Sequence, residues 1–144
     1  FQNPDTMLFE DTVEREMLFG MKNIGIDPAD AQERIKDVLG MVGLDGRSSQ
    51  FPRAMSRGER QRLAIACVVA MKPDVIILDE PTTGLDPEEA DRIMDILRSL
   101  SGAGHTVVMV SHDLSIVKRH AQRIIRMDSG IITSDRTRIN GGAA

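Results

Sequence analysis

The stretch Val75–Pro87, VIILDEPTTGLDP, decides the fold. Its first four residues form a continuous apolar run, which is typical of a parallel β-strand buried on both faces. Two acids, Asp79 and Glu80, end the run, and a turn containing threonine and glycine follows. Asp86 can cap the next helix, with Pro87 at its first position. A buried strand, a turn and a helix in this order predict an α/β protein.

The chain on either side of this stretch supports that class. Downstream lie a second apolar strand (HTVVMVS), a helix (HDLSIVKRHA) and a hairpin (QRIIRM, DSG, IITS). Alternating strands and helices predict a mostly parallel sheet with flanking helices. Upstream, apolar residues at helical spacing predict three helices. The second is capped by Asp27 and stops near Gly43, and the third covers 57–71 and ends before Pro73.

The sequence therefore divides into three parts. A helical part covers residues 1–72, a sheet part covers 73–135, and a tail, 136–144, is low in structure-forming residues. Within the first part, residues 1–10 are predicted to form a loop. Because the chain begins with Phe1 rather than Met, we expect a truncation point there, and we expect the tail to be frayed.

Composition narrows the classes of function. The 144 residues suffice for one domain with a core, and a net charge of −4 gives no support for nucleic acid as a partner. The longest apolar runs fall well short of the ~20 residues that cross a membrane. The one cysteine, Cys67, lies in the apolar run LAIACVVAM, so we expect a small buried residue in a reducing compartment.

The segment Met55–Arg60, MSRGER, has two interpretations. Ser56 followed three residues later by Glu59 is the capping-box pattern that begins a helix. The same residues are also suited to an anion, because a serine hydroxyl and the Gly58 amide would point out of a positive helix end. The local sequence does not choose between these two roles.

Three further side chains are candidates for chemistry. Asp79 and Glu80 would lie at the carboxyl edge of the sheet, where α/β proteins bind ligands, although an acidic exit from a strand is equally common. In the chemical interpretation Asp79 holds Mg²⁺ and Glu80 activates a water for phosphoryl transfer. His112 follows the second strand. Alone it is best explained as a surface turn residue or a helix-cap partner, and its alternative role is contact with a γ-phosphate.

Together these segments resemble the nucleotide-binding subunit of ABC transporters. FQNPD matches the Q-loop, MSRGE the signature motif, VIILDE the Walker B motif, GLD the D-loop and SHD the H-switch, in the family's order. The resemblance covers residues 1 to about 135. The run FQNPDTMLFEDTVEREMLFG further resembles ATPases of energy-coupling-factor importers, which take up vitamins and transition-metal ions. The resemblance implies part of a P-loop NTPase-like fold: a helical subdomain, then part of a mostly parallel sheet.

The resemblance also implies a role for each motif residue. Ser56 and Gly58 would contact the γ-phosphate of ATP bound to the opposite subunit. Arg57 and Glu59 depart from the commoner Gly and Gln of the signature, and we expect the motif to work nonetheless. The remaining roles are Mg²⁺ and nucleotide sensing for Gln2, Mg²⁺ binding for Asp79, water activation for Glu80, γ-phosphate contact for His112, and a place facing the second subunit for Asp86.

The implied partners are a second ATP-binding subunit, identical or different, and an integral membrane transport component. Residues 5–20 would form part of the groove that receives the membrane component, which implies a peripheral location on the cytoplasmic face of the membrane. The 144 residues contain no G-x-x-x-x-G-K-[ST] loop, so we expect this chain alone to be inactive. Without that loop and its strand, we expect exposed apolar strands at Val75–Leu78 and Val107–Val110.

Two other classes remain open. DNA-repair and chromosome-organising ATPases of the same superfamily insert long coiled coils between the Q-loop and the signature. Here that interval is about fifty residues without sustained heptads, which disfavours this class. The other class is a non-enzymatic interaction module that docks on a membrane partner.

Overall fold

The computed structural model describes residues 4–137, which divide into two compact units. The first extends to Val110 and the second begins at Ser111. The predicted boundary between residues 72 and 73 falls inside the first unit and stays a prediction. None of the helices within residues 4–137 combines the length and the apolar character that a membrane crossing requires.

The first unit contains five α-helices and two strands. In chain order they are α1 (Pro4–Met7), α2 (Val13–Asn23), α3 (Pro28–Met41), a 3₁₀ turn (Pro52–Ala54), α4 (Arg57–Val69), β1 (Val75–Asp79), α5 (Pro87–Gly102) and β2 (Thr106–Val110). The predicted helices and both apolar strands are confirmed. One prediction was wrong: residues 4–7 form a helical turn where a loop was expected. Proline suits a first helical position, and a salt bridge of 2.6 Å joins Asp5 Oδ1 to Arg60 Nε of α4.

The predicted helix ends are confirmed at α3. The Asp27 carboxylate accepts a hydrogen bond of 2.9 Å from the Ala29 amide, and Pro28 occupies the first helical position. Gly43 follows the helix with a φ of +65°, a left-handed conformation that glycine adopts without a Cβ penalty. These local signals fix where the chain turns back toward α4.

Helix α4 is the centre of the first unit, because it is buried on nearly all sides. It packs against α1, α2, α3 and α5. Its buried residues include Leu63, Ala64, Ile65 and Ala66, and Cys67 is also buried, as predicted. Burial raises the pKa of the Cys67 thiol far above its usual range, so this cysteine is an inert packing residue.

Strands β1 and β2 are parallel and in register from Val75 opposite Thr106 to Asp79 opposite Val110. Ile76 and Leu78 are buried, whereas the alternate residues are exposed. The prediction of strands buried on both faces was therefore wrong for the described residues, which leave one face of this two-stranded sheet uncovered. The expected exposure of apolar strand residues is confirmed at Val75, Ile77, Val108 and Val110.

The second unit contains α6 (Leu114–His120), β3 (Arg123–Asp128) and β4 (Ile131–Thr137). The predicted hairpin is confirmed. Ser129 and Gly130 form its two-residue turn with positive φ angles, as a tight hairpin requires. β3 pairs with β4 in an antiparallel sheet, and among the described residues the predicted parallel pairing is formed by β1 and β2. Residues 138–144, most of the predicted tail, lie outside the described residues.

Because alternate residues of β1 are buried, the same substitution at two neighbouring positions should have different effects on stability. Ile76→Ala should lower the free energy of unfolding by about 2–5 kcal/mol, because it leaves a cavity in the core. Ile77→Ala removes the same atoms from a side chain that is 60% exposed, and it should cost less than about 1 kcal/mol. Urea denaturation of both variants tests the assignment of faces. Equal losses would contradict it.

Candidate functional site

The start of α4 is a complete capping box. The Ser56 hydroxyl accepts a hydrogen bond of 3.2 Å from the Glu59 amide, and the Glu59 carboxylate accepts one of 2.8 Å from the Ser56 amide. The amides of Arg57 and Gly58 belong to the first turn, which a helix leaves without an internal acceptor. The predicted cap is confirmed, and it leaves the positive end of α4 suited to an anion.

Glu59 is held as a carboxylate. The hydrogen bond from the Ser56 amide lowers the pKa of Glu59, partial burial opposes this, and Arg47 and Arg62 lower it further. Arg47 Nη2 lies 3.4 Å from Glu59 Oε1. The negative charge that Glu59 adds at the start of α4 is therefore balanced by the guanidinium groups of Arg47 and Arg62.

The carboxyl end of β1 brings Asp79 and Glu80 to one edge of the sheet, and both side chains are partly exposed. The Glu80 amide donates a hydrogen bond of 2.9 Å to the Val110 carbonyl of β2. Glu80 has a φ of +49°, a left-handed conformation that costs a non-glycine residue about 1–2 kcal/mol. The backbone reverses at this residue, and strain of this kind is typical of functional sites.

Thr83 connects Glu80 with the start of α4. Its hydroxyl donates a hydrogen bond of 3.0 Å to Glu80 Oε2, and its carbonyl accepts one of 3.1 Å from Arg57 Nη2. The Arg57 guanidinium also lies against Gly84, whose φ is +73° and where a Cβ would come within 3.0 Å of Arg57 Cζ. The structure therefore brings the start of α4, the end of β1 and the turn after it together.

A second contact joins α4 to α5 beside Gly58. A Cβ on Gly58 would lie 2.8 Å from Glu89 Cδ, closer than real Cβ contacts. Glu89 Oε2 is 3.4 Å from Arg62 Nε, and the Arg62 side chain is only 8% exposed. Arg62 also donates two hydrogen bonds of 2.9 Å, to the Val42 and Gly43 carbonyls. The space next to Gly58 is thus occupied by the side chain of Glu89.

The other candidate residues are placed as follows. Asp86 is exposed and caps α5, with its carboxylate accepting a hydrogen bond of 3.0 Å from the Glu89 amide. His112 is exposed in the second unit. Gln2 lies outside the described residues. The roles expected for these three residues stay predictions.

Sequence reasoning missed Thr83, Arg62 and Glu89. Thr83 lies in the quoted turn after β1 but was given no role, and Arg62 and Glu89 lie outside the motifs. The contacts that matter most, Arg57 with Thr83 and Arg62 with Glu89, join residues that are distant in the sequence. The available signals were weak: a charged Arg62 within an apolar helix, and an acid in the first turn of α5. A guanidinium that becomes buried requires polar partners, so the charge within an apolar run indicated that a contact of this kind exists without naming the partner.

The start of α4 and the end of β1 fall within a stretch that matches a known family. The family model described as ABC transporter matches residues 1–83, more than half of the chain. The chain belongs to the ABC transporter family. The motif names predicted from the sequence are kept below as labels: the signature segment for Met55–Glu59, the Walker B motif for Val75–Glu80 and the D-loop for Gly84–Asp86.

Similar proteins come from archaea and bacteria. A putative ABC transporter ATP-binding protein of Methanosarcina mazei is 59% identical over 135 residues, which are 94% of this chain and 27% of that protein. The energy-coupling factor transporter ATP-binding protein EcfA of Methanothermobacter thermautotrophicus is 44% identical over 137 residues, which are 95% of this chain and 44% of that protein. The chain thus spans about a quarter to a half of the length of these relatives.

The fold agrees with a solved structure. CbiO1 from Clostridium perfringens, described as part of the ABC transporter complex cbiONQ, superposes with a TM-score of 0.87 at 31% identity. The match covers 94% of this chain and 54% of that protein. The expected α/β fold of an ABC ATPase is confirmed.

The lowered pKa of Glu59 predicts a dependence of stability on pH. Glu59 stabilises the fold fully above its ordinary pKa of 4.5, and this contribution is lost as the pH falls through the lowered folded-state value. Glu59→Gln keeps an oxygen that accepts from the Ser56 amide but removes the titration. The substituted protein should therefore lose less unfolding free energy than the native chain when the pH falls from about 6 to about 3. Identical losses in urea denaturation would contradict this role.

Proposed function

We propose that this chain forms the signature and catalytic portion of an ATP-hydrolysing ABC subunit. The observation that carries the proposal is the contact series Arg57–Thr83–Glu80, which joins the signature segment to the end of the Walker B strand. Membership of the ABC transporter family supports the assignment of those segments. The helices between the Q-loop and the signature, in the part that the structure describes, have at most 14 residues, which supports a transporter ATPase over the coiled-coil class.

The carboxylate at the end of β1 fits Mg²⁺. Mg²⁺ usually takes one or two protein carboxylates and completes its shell with phosphate and water. Asp79, partly exposed at the end of β1, would be that carboxylate. When bound, Mg²⁺ would neutralise charge on the phosphates.

Glu80 would act as the general base. The left-handed backbone at Glu80 and the bond from the Thr83 hydroxyl fix where its carboxylate lies. From that position it would orient a water and accept its proton as the water attacks. His112 would donate a hydrogen bond to the phosphoryl group that is transferred, and Gln2 would sense the nucleotide.

A second ATP-binding subunit would complete the site. Ser56 and Gly58, at the positive end of α4, would face ATP that is bound by the other subunit. Asp86 lies in the turn held beside Arg57, so the same surface would present the D-loop to the partner. Whether the two subunits are identical stays open in this proposal.

The transporter would be an importer of the energy-coupling-factor type for a metal ion or a vitamin, peripheral to the cytoplasmic face of the membrane. The relative named EcfA and the similarity to cbiO1 support this type. Residues 5–20 would receive the membrane component. There, the exposed rings of Phe9 and Phe19 pack edge to face, 4.9 Å apart. The buried Glu16 carboxylate accepts from the Phe9 and Glu10 amides and holds the loop that carries Phe9.

The first test of the proposal is ATP binding. These 144 residues contain no P-loop, so we expect no binding of Mg-ATP by this chain alone in equilibrium titration. A chimera in which the chain replaces the matching 137 residues of the Methanothermobacter relative should bind and hydrolyse ATP. Tight binding by the chain alone would overturn the assignment of roles, as would an inactive but folded chimera.

The second test addresses Glu80. In the chimera, Glu80→Gln should reduce kcat by about 100-fold or more, because it removes the general base. ATP affinity should be retained, since Asp79 and the phosphate-binding groups are unchanged. Turnover within a few-fold of the unsubstituted chimera would show that Glu80 is not the base.

A further inference from the structure

Two explanations can account for a glycine at position 58. The proposed function requires close approach of a phosphate to its backbone. Within the chain, however, the side chain of Glu89 already lies where a Cβ would be, 2.8 Å from Glu89 Cδ and 2.9 Å from Cγ. Contacts below 3.0 Å to a Cβ require something to move. The question is then whether Glu89 moves without cost.

Glu89 is held on two sides. Arg62 Nε lies 3.4 Å from Oε2, and Arg92 Nη1 donates a hydrogen bond of 3.2 Å to Oε1. Arg62 is nearly fully buried, and its Nη1 is engaged by the carbonyls at the end of α3, so it does not follow Glu89 outward. Displacing the Glu89 carboxylate would break the ion pair of a buried guanidinium, which is costly.

The position of Glu89 also matters for the signature segment. Glu89 lies in the first turn of α5, directly after the D-loop, and its amide is capped by Asp86. Its side chain packs on Gly58, and Arg57, one residue earlier, bonds to the Thr83 carbonyl before the D-loop. These two contacts fix the start of α4 against the turn between β1 and α5.

We propose that Glu89 is a positioning residue for the signature segment, and that residue 58 is glycine because the Glu89 carboxylate occupies the space beside it. The consequence for hydrolysis rests on the proposed function, whereas the packing claim does not. Glu89 acts through Ser56 and Gly58: it determines where their hydroxyl and amide lie relative to the D-loop, and it does not touch nucleotide itself.

A double-mutant cycle in the full chain tests the packing claim. Gly58→Ala should lower the thermal midpoint by about 5 °C, because it overpacks the contact with Glu89. In a Glu89→Ala background the same change should cost almost nothing, because the obstructing side chain is gone and Ala favours a helix over Gly. Glu88→Ala is the matched control: its side chain is 77% exposed on the same helix turn, and Gly58→Ala should remain costly beside it.

Each outcome of the cycle decides the claim. Equal losses in the native and Glu89→Ala backgrounds would overturn it, as would no loss in the native background. If Gly58→Ala alone fails to fold, recovery of folding in the double variant supports the claim. Failure of the double variant as well, with Glu89→Ala folded, overturns it.

The kinetic readout separates positioning from stability. The measurement uses the chimera at a temperature where all variants are folded. Glu89→Ala should lower kcat about tenfold, because Ser56 and Gly58 would be misplaced when the two subunits come together around ATP. KM for Mg-ATP should stay nearly unchanged. Glu88→Ala should change neither value. Unchanged kcat in folded Glu89→Ala would overturn the positioning role. An unsubstituted chimera without ATPase activity would instead count against the proposed function and leave the stability cycle intact.

Discussion

Arg62 is a buried guanidinium on α4, a helix whose side chains are mostly buried, and a buried charge must find polar partners. Its partners are the two carbonyls that follow α3 and the carboxylate of Glu89 on α5. One side chain therefore ties three helices together, and α4 cannot rotate or slide without breaking part of this set. Because α4 begins at the signature segment, the contacts of Arg62 in the core also fix the position of the surface that is proposed to face nucleotide.

The cap at Ser56 shows that stability and binding need not compete for the same groups. Ser56 and Glu59 satisfy each other, which uses one hydroxyl, one carboxylate and two amides. The first-turn amides of Arg57 and Gly58 have no acceptor inside a helix, and they lie at its positive end. A well-formed cap thus leaves a defined set of donors pointing outward. The capping interpretation and the anion interpretation of MSRGER describe one arrangement.

Local signals in the sequence were sufficient to predict helices α2 to α6, although they missed the short α1, and they did not predict the contacts between distant residues. Asp27, Ser56 and Asp86 each mark a helix start because a cap is a matter of three or four neighbouring residues. The apolar run of β1 predicted burial on both faces, yet burial depends on what else covers the sheet, and the described residues cover only one face. Nothing in the local sequence indicated the left-handed backbone at Glu80, since no glycine stands there.

The two unusual signature residues, Arg57 and Glu59, can be explained by charge and contact. Glu59 in place of the commoner glutamine adds a negative charge where an anion is proposed to bind, which alone would weaken that binding. The hydrogen bond from the Ser56 amide lowers the pKa of Glu59, Arg47 and Arg62 lower it further, and the two guanidinium groups offset the field of its carboxylate. Arg57 adds a positive charge next to Gly58, and its guanidinium is held on Gly84 and the Thr83 carbonyl. The long side chain is thereby directed toward the D-loop of its own chain, so the departure from glycine creates an internal contact and leaves the first-turn amides in place.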